Sequence, residues 1–353
     1  MEVDYLIIGQ GISGTLLSRS LQKEGGRVMV IDNGNPASSS KVAGGVINPV
    51  TGKRLVRTWL IEQLMPFAWD TYKAIESELG ISIISKCSIL NMHPTLEQKS
   101  IFGEKETVEK DYLHTLSGSD TGQWQEYFRF NYGIGAIEPC LLVDINMLLA
   151  SWRAHLSAND ALLEEEFVLR DCIINEQQVT YKNINARHII FCDGVVCSEN
   201  PYFNRLPWSK DKGEALIVAI PGLPKDNIYN QGLSILHWKD DLFWVGATHD
   251  WKYTDLLPTP SFRKQVEGLL DYWLKLPYTI TGHMVAQRPV NVERKPFVGM
   301  HPVHKTAAIF NGMGTKGCSV APYFAQQFAQ HLIHHAPLMP DVDVSRFTRI
   351  LSR

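Results

Sequence analysis

The chain has 353 residues, 44% of them hydrophobic and 20% charged, with a formal net charge of -3 and a pI near 6.5. This balance describes a globular chain long enough for two domains, and it excludes a disordered or fibrous protein and any bulk electrostatic pull toward nucleic acid or anionic membrane. Six scattered cysteines with no Cys-x-x-Cys pair and no zinc-like histidine spacing predict reduced thiols and no metal. No apolar run reaches the roughly 20 residues of a membrane span, and Glu2 and Asp4 do not make the basic head of a signal peptide, so the expected location is cytoplasmic.

Residues 3–8 are a short, mostly apolar run that suits a buried parallel strand, and Gly9-Gln10-Gly11-Ile12-Ser13-Gly14 follows at once. Residues 15–23 have helical apolar spacing, Gly25-Gly26 stops them, and residues 28–31 form a second apolar run ending at Asp32. In such a strand–helix–strand unit Gly9 permits the tight turn, Gly11 lets the backbone approach a pyrophosphate, and Gly14 lets helix and strand pack closely. Amides at the helix start receive the phosphates, while Asp32 can accept from both ribose hydroxyls. The unit predicts a dinucleotide site and does not separate FAD from NAD.

Residues 38–49, Ser-Ser-Ser-Lys-Val-Ala-Gly-Gly-Val-Ile-Asn-Pro, read either as a surface loop or as backbone that approaches a planar ligand. Residues 81–137 and 206–281 are richer in alternating, aromatic and turn signals and predict an antiparallel sheet. Residues 138–205 and 282–353 return to strand and helix patterns and are expected to rejoin residues 1–80 in one domain. Near the C-terminus, Phe310-Asn311-Gly312-Met313-Gly314-Thr315-Lys316-Gly317 precedes a helix-like stretch over residues 320–334. A second glycine turn opening a second helix can present amides to the electron-rich pyrimidine end of a flavin.

Taken with Cys192-Asp193-Gly194, Lys212-Gly213-Glu214, Gly246-Ala247-Thr248, Arg288-Pro289 and residues 295–299, these segments resemble, over nearly the whole chain, the DAO-type FAD-dependent oxidoreductases, the family of D-amino-acid, glycine and sarcosine oxidases. The resemblance implies an α/β fold, a Rossmann-like FAD-binding domain (1–80, 138–205, 282–353) with a discontinuous α+β substrate domain on a mostly antiparallel sheet (81–137, 206–281). It implies FAD, oxidation of a C–N bond next to a hydrogen-bearing carbon, and usually oxygen as acceptor; hydride transfer from a neutral amine is the expected route, and the FAD is expected to be non-covalent. Cofactor contacts are expected, besides the first glycine turn and Asp32, from Ile12, Ser13, Asn33, Ser40, Ala43, Gly44, Gly45, Val168, Cys192, Asp193, Gly194, Gly312, Gly314, Thr315, Lys316 and Gly317.

Arg288 matches the arginine that anchors substrate carboxylates in this family, and the competing role is a structural ion pair, with Glu293 available. His249, after Gly-Ala-Thr, is at a position that faces substrate in the family, where it would tune the amine's protonation, and the competing role is a structural histidine satisfied by hydrogen bonds. His237 and Trp244 share its ambiguity, Lys316 is placed beside the flavin or in solvent, and Cys318 is taken as a buried thiol rather than a covalent flavin link. Where much of the family has Tyr-x-x-Pro, this chain has Ser234-Ile235-Leu236-His237.

Three readings stay open. One is oxidation of a small amine or amino acid. Another is oxidation of a carboxymethylamine on a tRNA wobble uridine, since residues 312–317 are similar to the turn of that bifunctional enzyme's oxidase half; Lys53, Arg54 and Arg57 would then meet phosphate, and the absence of a fused methyltransferase pattern counts against it. The third is a flavin-bearing binding protein without turnover.

Overall fold

The computed structural model describes residues 1–353, and its strands divide between two large sheets. The elements that place the site are, in chain order, β1 (Glu2–Ile8), α1 (Ile12–Lys23), β2 (Val28–Ile31), α2 (Ile61–Leu79), β3 (Ile84–Met92), β4 (Ile134–Val143), α3 (Ile145–Ala158), β5 (Ile184–Phe191), β6 (Asp211–Ala219), β7 (Ile228–Asn230), β8 (Ser234–Lys239), β9 (Leu242–Gly246), α4 (Pro260–Trp273), β10 (Thr279–Arg288), β11 (Phe297–Met300), β12 (Ala307–Asn311) and α5 (Gly317–His334).

The first sheet is parallel at its centre. β1 lies between β2 and β5, and β5 also pairs with β12, all in parallel. Such strands are covered on both faces, which explains why residues 6–8 and 28–31 are fully apolar runs rather than alternating ones. On one face α1, α2, α3 and α5 pack through Leu16, Leu17, Tyr72, Leu148, Phe324 and Phe328. Both glycine-turn helices begin earlier than their apolar spacing predicts, at Ile12 and Gly317 instead of residues 15 and 320. Their first turns include the small residues Ser13, Gly14, Gly317 and Ser319, which interrupt the apolar period.

The second sheet runs β10, β6, β9, β8, β7, β3, β4 and the short strand Val46–Ile47, antiparallel except between β7 and β3. Residues alternate between a face covered by α4, with Leu216, Phe243 and Phe262, and a face with Ala215, Leu236 and Trp244 that meets Val50 and Leu55. The expected boundaries at 137/138 and 281/282 fall inside β4 and β10, because both strands continue past the point where their alternation weakens. Val46–Ile47 joins this sheet although it lies within residues 1–80, so the glycine loop crosses from one sheet to the other. No helix is long and apolar enough to cross a membrane.

Candidate active site

The first glycine turn sits where β1 ends beside β5. A Cβ on Gly14 would lie 1.9 Å from the Gly9 carbonyl oxygen, and one on Gly9, whose φ is +94°, would lie 2.8 Å from the Cys192 carbonyl oxygen. At Gly11 the only close neighbour is the Ser40 hydroxyl, at 3.0 Å, so this glycine keeps open the side facing the 38–49 loop. Ser40 Oγ accepts from the Ile12 amide at 3.1 Å, while the amides of Gly11, Ser13 and Gly14 find no acceptor in the protein. Unused donors at a helix N-terminus, with positive dipole potential, make a receptor for a pyrophosphate.

Asp32 differs from the simple expectation. Its carboxylate already accepts from the amides of Gln10 (2.8 Å) and Gly34 (2.7 Å) and from Arg153 Nη1 (2.8 Å), so three of its roughly four acceptor sites are used and one remains for a ribose hydroxyl instead of two. Arg153, on α3, also bonds the Asp32 carbonyl and Glu164. Asn33 is exposed and accepts from the Asn35 amide, and the Val168 amide donates to the Tyr181 hydroxyl at 3.4 Å, beside the first sheet's edge hairpin.

The loop with Ala43, Gly44 and Gly45 is wedged against the second sheet. A Cβ on Gly44 would lie 2.9 Å from Leu236, one on Gly45 would lie 2.0 Å from the Val143 carbonyl oxygen, and Trp244 donates its indole N–H to the Val42 carbonyl. Trp244 is therefore a strut for the loop. His237 bonds the carbonyl of Asp240 in its own hairpin turn and takes no part in the site.

The second glycine turn meets the first loop directly: Lys316 Nζ donates to Asn48 Oδ1 at 2.7 Å. Burial lowers the Lys316 ammonium to about 8, against the opposing influence of the Cys140 and Cys318 thiols. The amides of Thr315, Gly317 and Cys318 have no protein acceptor, and Gly312 and Gly314 take positive φ to form the turn. Cys318 points into the core, where burial raises its thiol to about 12, and its carbonyl accepts from the Tyr72 hydroxyl. Cys192 is likewise buried. Asp193, raised to about 7 by burial, accepts from Asn311, which also donates to the Gly194 carbonyl and so joins β5 to the second turn.

Arg288 and His249 are brought together by a residue that no motif singled out. Asp211, 1% exposed at its side chain, lies opposite Arg288 in the β6–β10 register. Its Oδ2 accepts from Arg288 Nη1 at 2.8 Å and from His249 Nδ1 at 2.6 Å, and Oδ1 accepts from the Asp250 amide. Burial pushes the Asp211 carboxyl upward, yet the His249 hydrogen bond and the Arg288 charge hold it below its ordinary value. Arg288 thus has an acidic partner, but it is Asp211; Glu293 pairs with Arg346.

Only Nη1 of Arg288 is engaged, with the Thr248 carbonyl as its other acceptor at 3.0 Å and His249 Nδ1 3.3 Å away. Nε and Nη2 make no hydrogen bond, and Nη2 lies where a Cβ on Gly213 would come within 2.0 Å. That leaves the side-on edge able to take a carboxylate in two parallel hydrogen bonds. With Nδ1–H directed at Asp211, His249 presents Nε2 as its unbonded nitrogen, and its ring stacks on Trp251 at 5.7 Å. Behind Gly213, the buried Lys212 bonds the Leu257 carbonyl, and Glu214 holds Thr259 and His283, fixing the return of the 247–259 loop. Of the basic residues considered for phosphate, Lys53 and Arg54 are exposed, while Arg57 is paired with Glu62 and Glu109.

Residues 4–331 match the model of the DAO family, described as FAD dependent oxidoreductase. An uncharacterized oxidoreductase of Bacillus subtilis (strain 168), YurR, is 22% identical over 361 residues, covering 92% of this chain and 94% of that protein. Among solved structures, glycine oxidase from Geobacillus kaustophilus superposes with a TM-score of 0.79 at 17% identity over 98% of both chains. L-proline dehydrogenase from P. horikoshii does so with a TM-score of 0.78 at 16% identity, over 99% of this chain and 98% of that one.

Proposed function

The chain belongs to the DAO family of FAD-dependent oxidoreductases, and from that premise we propose that it oxidises the C–N bond of an amino acid or secondary amine that carries a carboxylate. The carrying observation is the one-ended engagement of Arg288, whose Nη1 is spent on Asp211 and Thr248 while its Nε and Nη2 edge is left for a ligand. The iminodiacetate oxidase of Chelativorans sp. BNC1, which superposes with a TM-score of 0.71 at 20% identity over 98% of both chains, is named for a substrate of this kind.

FAD suits the residues present. The amides of Gly11, Ser13 and Gly14 would hold its pyrophosphate, Asp32 one ribose hydroxyl, and the amides of Thr315, Gly317 and Cys318, with Lys316, the pyrimidine end. Bound there, the flavin supplies the acceptor for a hydride leaving the carbon next to nitrogen. This chain's own residues do the rest. Arg288 fixes the carboxylate and hence the direction of the C–H bond. His249 Nε2 accepts the proton of the substrate ammonium, so that the amine is neutral when the hydride departs; Asp211 keeps the other ring nitrogen protonated and stabilises the imidazolium that forms.

An absorbance spectrum of the purified protein followed by anaerobic addition of amino acids and secondary amines tests this reading. Bleaching by carboxylate-bearing amines, lost or weakened at least tenfold in Arg288→Ala, is expected, and readmitting air tests dioxygen as the acceptor. A flavin that no amine bleaches overturns it.

A further inference from the structure

The inner face of the second sheet changes character along its strands. One transverse row, Ile89, Ile228, Leu236, Trp244 and Ile217, is apolar and packs toward Val50 and Leu55. One pleat repeat nearer Arg288, the register aligns Asn91, Asn230, Ser234, Gly246 and Ala215. Successive same-face residues are related by the period of two, so both rows face the same way. Polar side chains replace aliphatic ones on β3, β7 and β8 together, and all three are only partly buried.

These polar groups are underused. Asn230 Nδ2 donates to Ser234 Oγ at 3.0 Å; the Asn230 carbonyl oxygen, the Ser234 hydroxyl hydrogen and the whole Asn91 amide make no hydrogen bond. In the turn that joins β7 to β8, Gln231 is 5% exposed and its Oε1 has no partner. The buried Gln231 Oε1 is costly to leave unmet, while the partly exposed groups of Asn91, Asn230 and Ser234 are free to bond solvent or a polar ligand. The row contains no ionisable side chain.

We propose that Asn230 and Ser234, with Asn91 beside them, form a subsite for an uncharged polar group, a hydroxyl or an amide, on the end of the substrate remote from its carboxylate. The proposal rests on the reading of Arg288 as the carboxylate anchor. Ser234 is paired with Gly246, two residues before the Thr248 carbonyl that Arg288 bonds. Two strand spacings and one pleat repeat separate Ser234 from Gly213 under the guanidinium, about 12 Å in all. Side chains reaching in from both ends shorten this to the length of a chain of five or six carbons. Gly246 and Ala215 lie between, buried and uncharged, and the row holds no ionisable group, so a second carboxylate or ammonium at the far end finds no partner there.

Binding of straight-chain carboxylates from propanoate to heptanoate to the FAD-loaded protein, compared with their ω-hydroxy counterparts and followed by flavin absorbance and calorimetry, tests the proposal. A gain of at least fivefold from the ω-hydroxyl is expected at one chain length near six carbons. Ser234→Ala and Asn230→Ala should each remove most of that gain and leave the affinity for the plain carboxylate unchanged. Plain carboxylates that bind with no gain at any length overturn the subsite but not the anchor. If no carboxylate binds, the anchor fails, and 6-hydroxyhexanamide, which has no carboxylate, then reports on the subsite alone. Side-chain amide NMR signals of Asn91 and Asn230 that it leaves unmoved overturn the proposal by themselves.

Discussion

Arg288 meets Asp211 through a single nitrogen, 2.8 Å from an oxygen that also takes the proton-bearing Nδ1 of His249. Asp211→Asn keeps the shape and removes the charge from both contacts. A charge-assisted hydrogen bond contributes about 1.5–3 kcal/mol, so KM for a carboxylate-bearing amine should rise about tenfold. The pH profile of kcat/KM should also move, because the imidazolium loses its carboxylate. Steady-state kinetics across pH check both, and a variant with unchanged KM and unchanged profile would remove Asp211 from the site.

The first glycine turn separates a cofactor role from a folding role. Gly14→Ala places a methyl 1.9 Å from a backbone oxygen and should unfold or strongly destabilise the protein. Gly11→Ala meets only the movable Ser40 hydroxyl, so the apoprotein should melt within a few degrees of wild type while FAD affinity falls at least tenfold. Thermal melts of apoprotein and FAD titration distinguish them; equal FAD affinity in Gly11→Ala would sink the assignment.

Lys316 is held at about 8 by burial, below the ordinary 10.5. Between those values the unfolded chain binds more protons than the native one, so stability rises with pH across that window and the cost of burying the ammonium is full below about 8. In cofactor-free protein, Lys316→Met should flatten this rise, which amounts to at most about 3 kcal/mol. Urea denaturation at pH 7 and pH 10.5 measures it; a wild-type protein whose stability does not climb over this range would contradict the burial of the charge.

Asp193 carries the opposite sign. Burial raises it to about 7 from 3.8, so the native state binds the extra proton between those values and stability falls as pH rises through them. Asp193→Asn should stabilise the apoprotein at pH 7.5 relative to pH 4.5, by up to about 4 kcal/mol. A stabilisation independent of pH would mean that Asp193 is ionised throughout.

The first strand–helix–strand unit was legible because everything that defines it is local: two apolar runs, three glycines and a terminal acid within residues 3–32. The second turn was legible as a glycine pattern, but its contact with Asn48 joins residues 268 positions apart. Asp211 was not legible. Its partners lie 77 and 38 residues away, and the adjacent Lys212-Gly213-Glu214 pattern begins one position further along a strand whose alternate residues face opposite ways. Arg153 escaped for the same reason: nothing near it in sequence shows that α3 ends its course beside β2. Trp244 stays ambiguous in the sequence because an aromatic on a strand says nothing about which carbonyl its N–H will find, here that of Val42.

The Lys316 to Asn48 bond, together with the β5–β12 pairing, has a consequence for biosynthesis. β1 finds its central neighbour only when residues 184–191 have left the ribosome, and the turn that meets Asn48 is completed only after residues 307–317. These long-range contacts therefore close only after almost the entire chain has been translated, and a nascent polypeptide arrested before Gly312 should lack the tie between the two glycine turns.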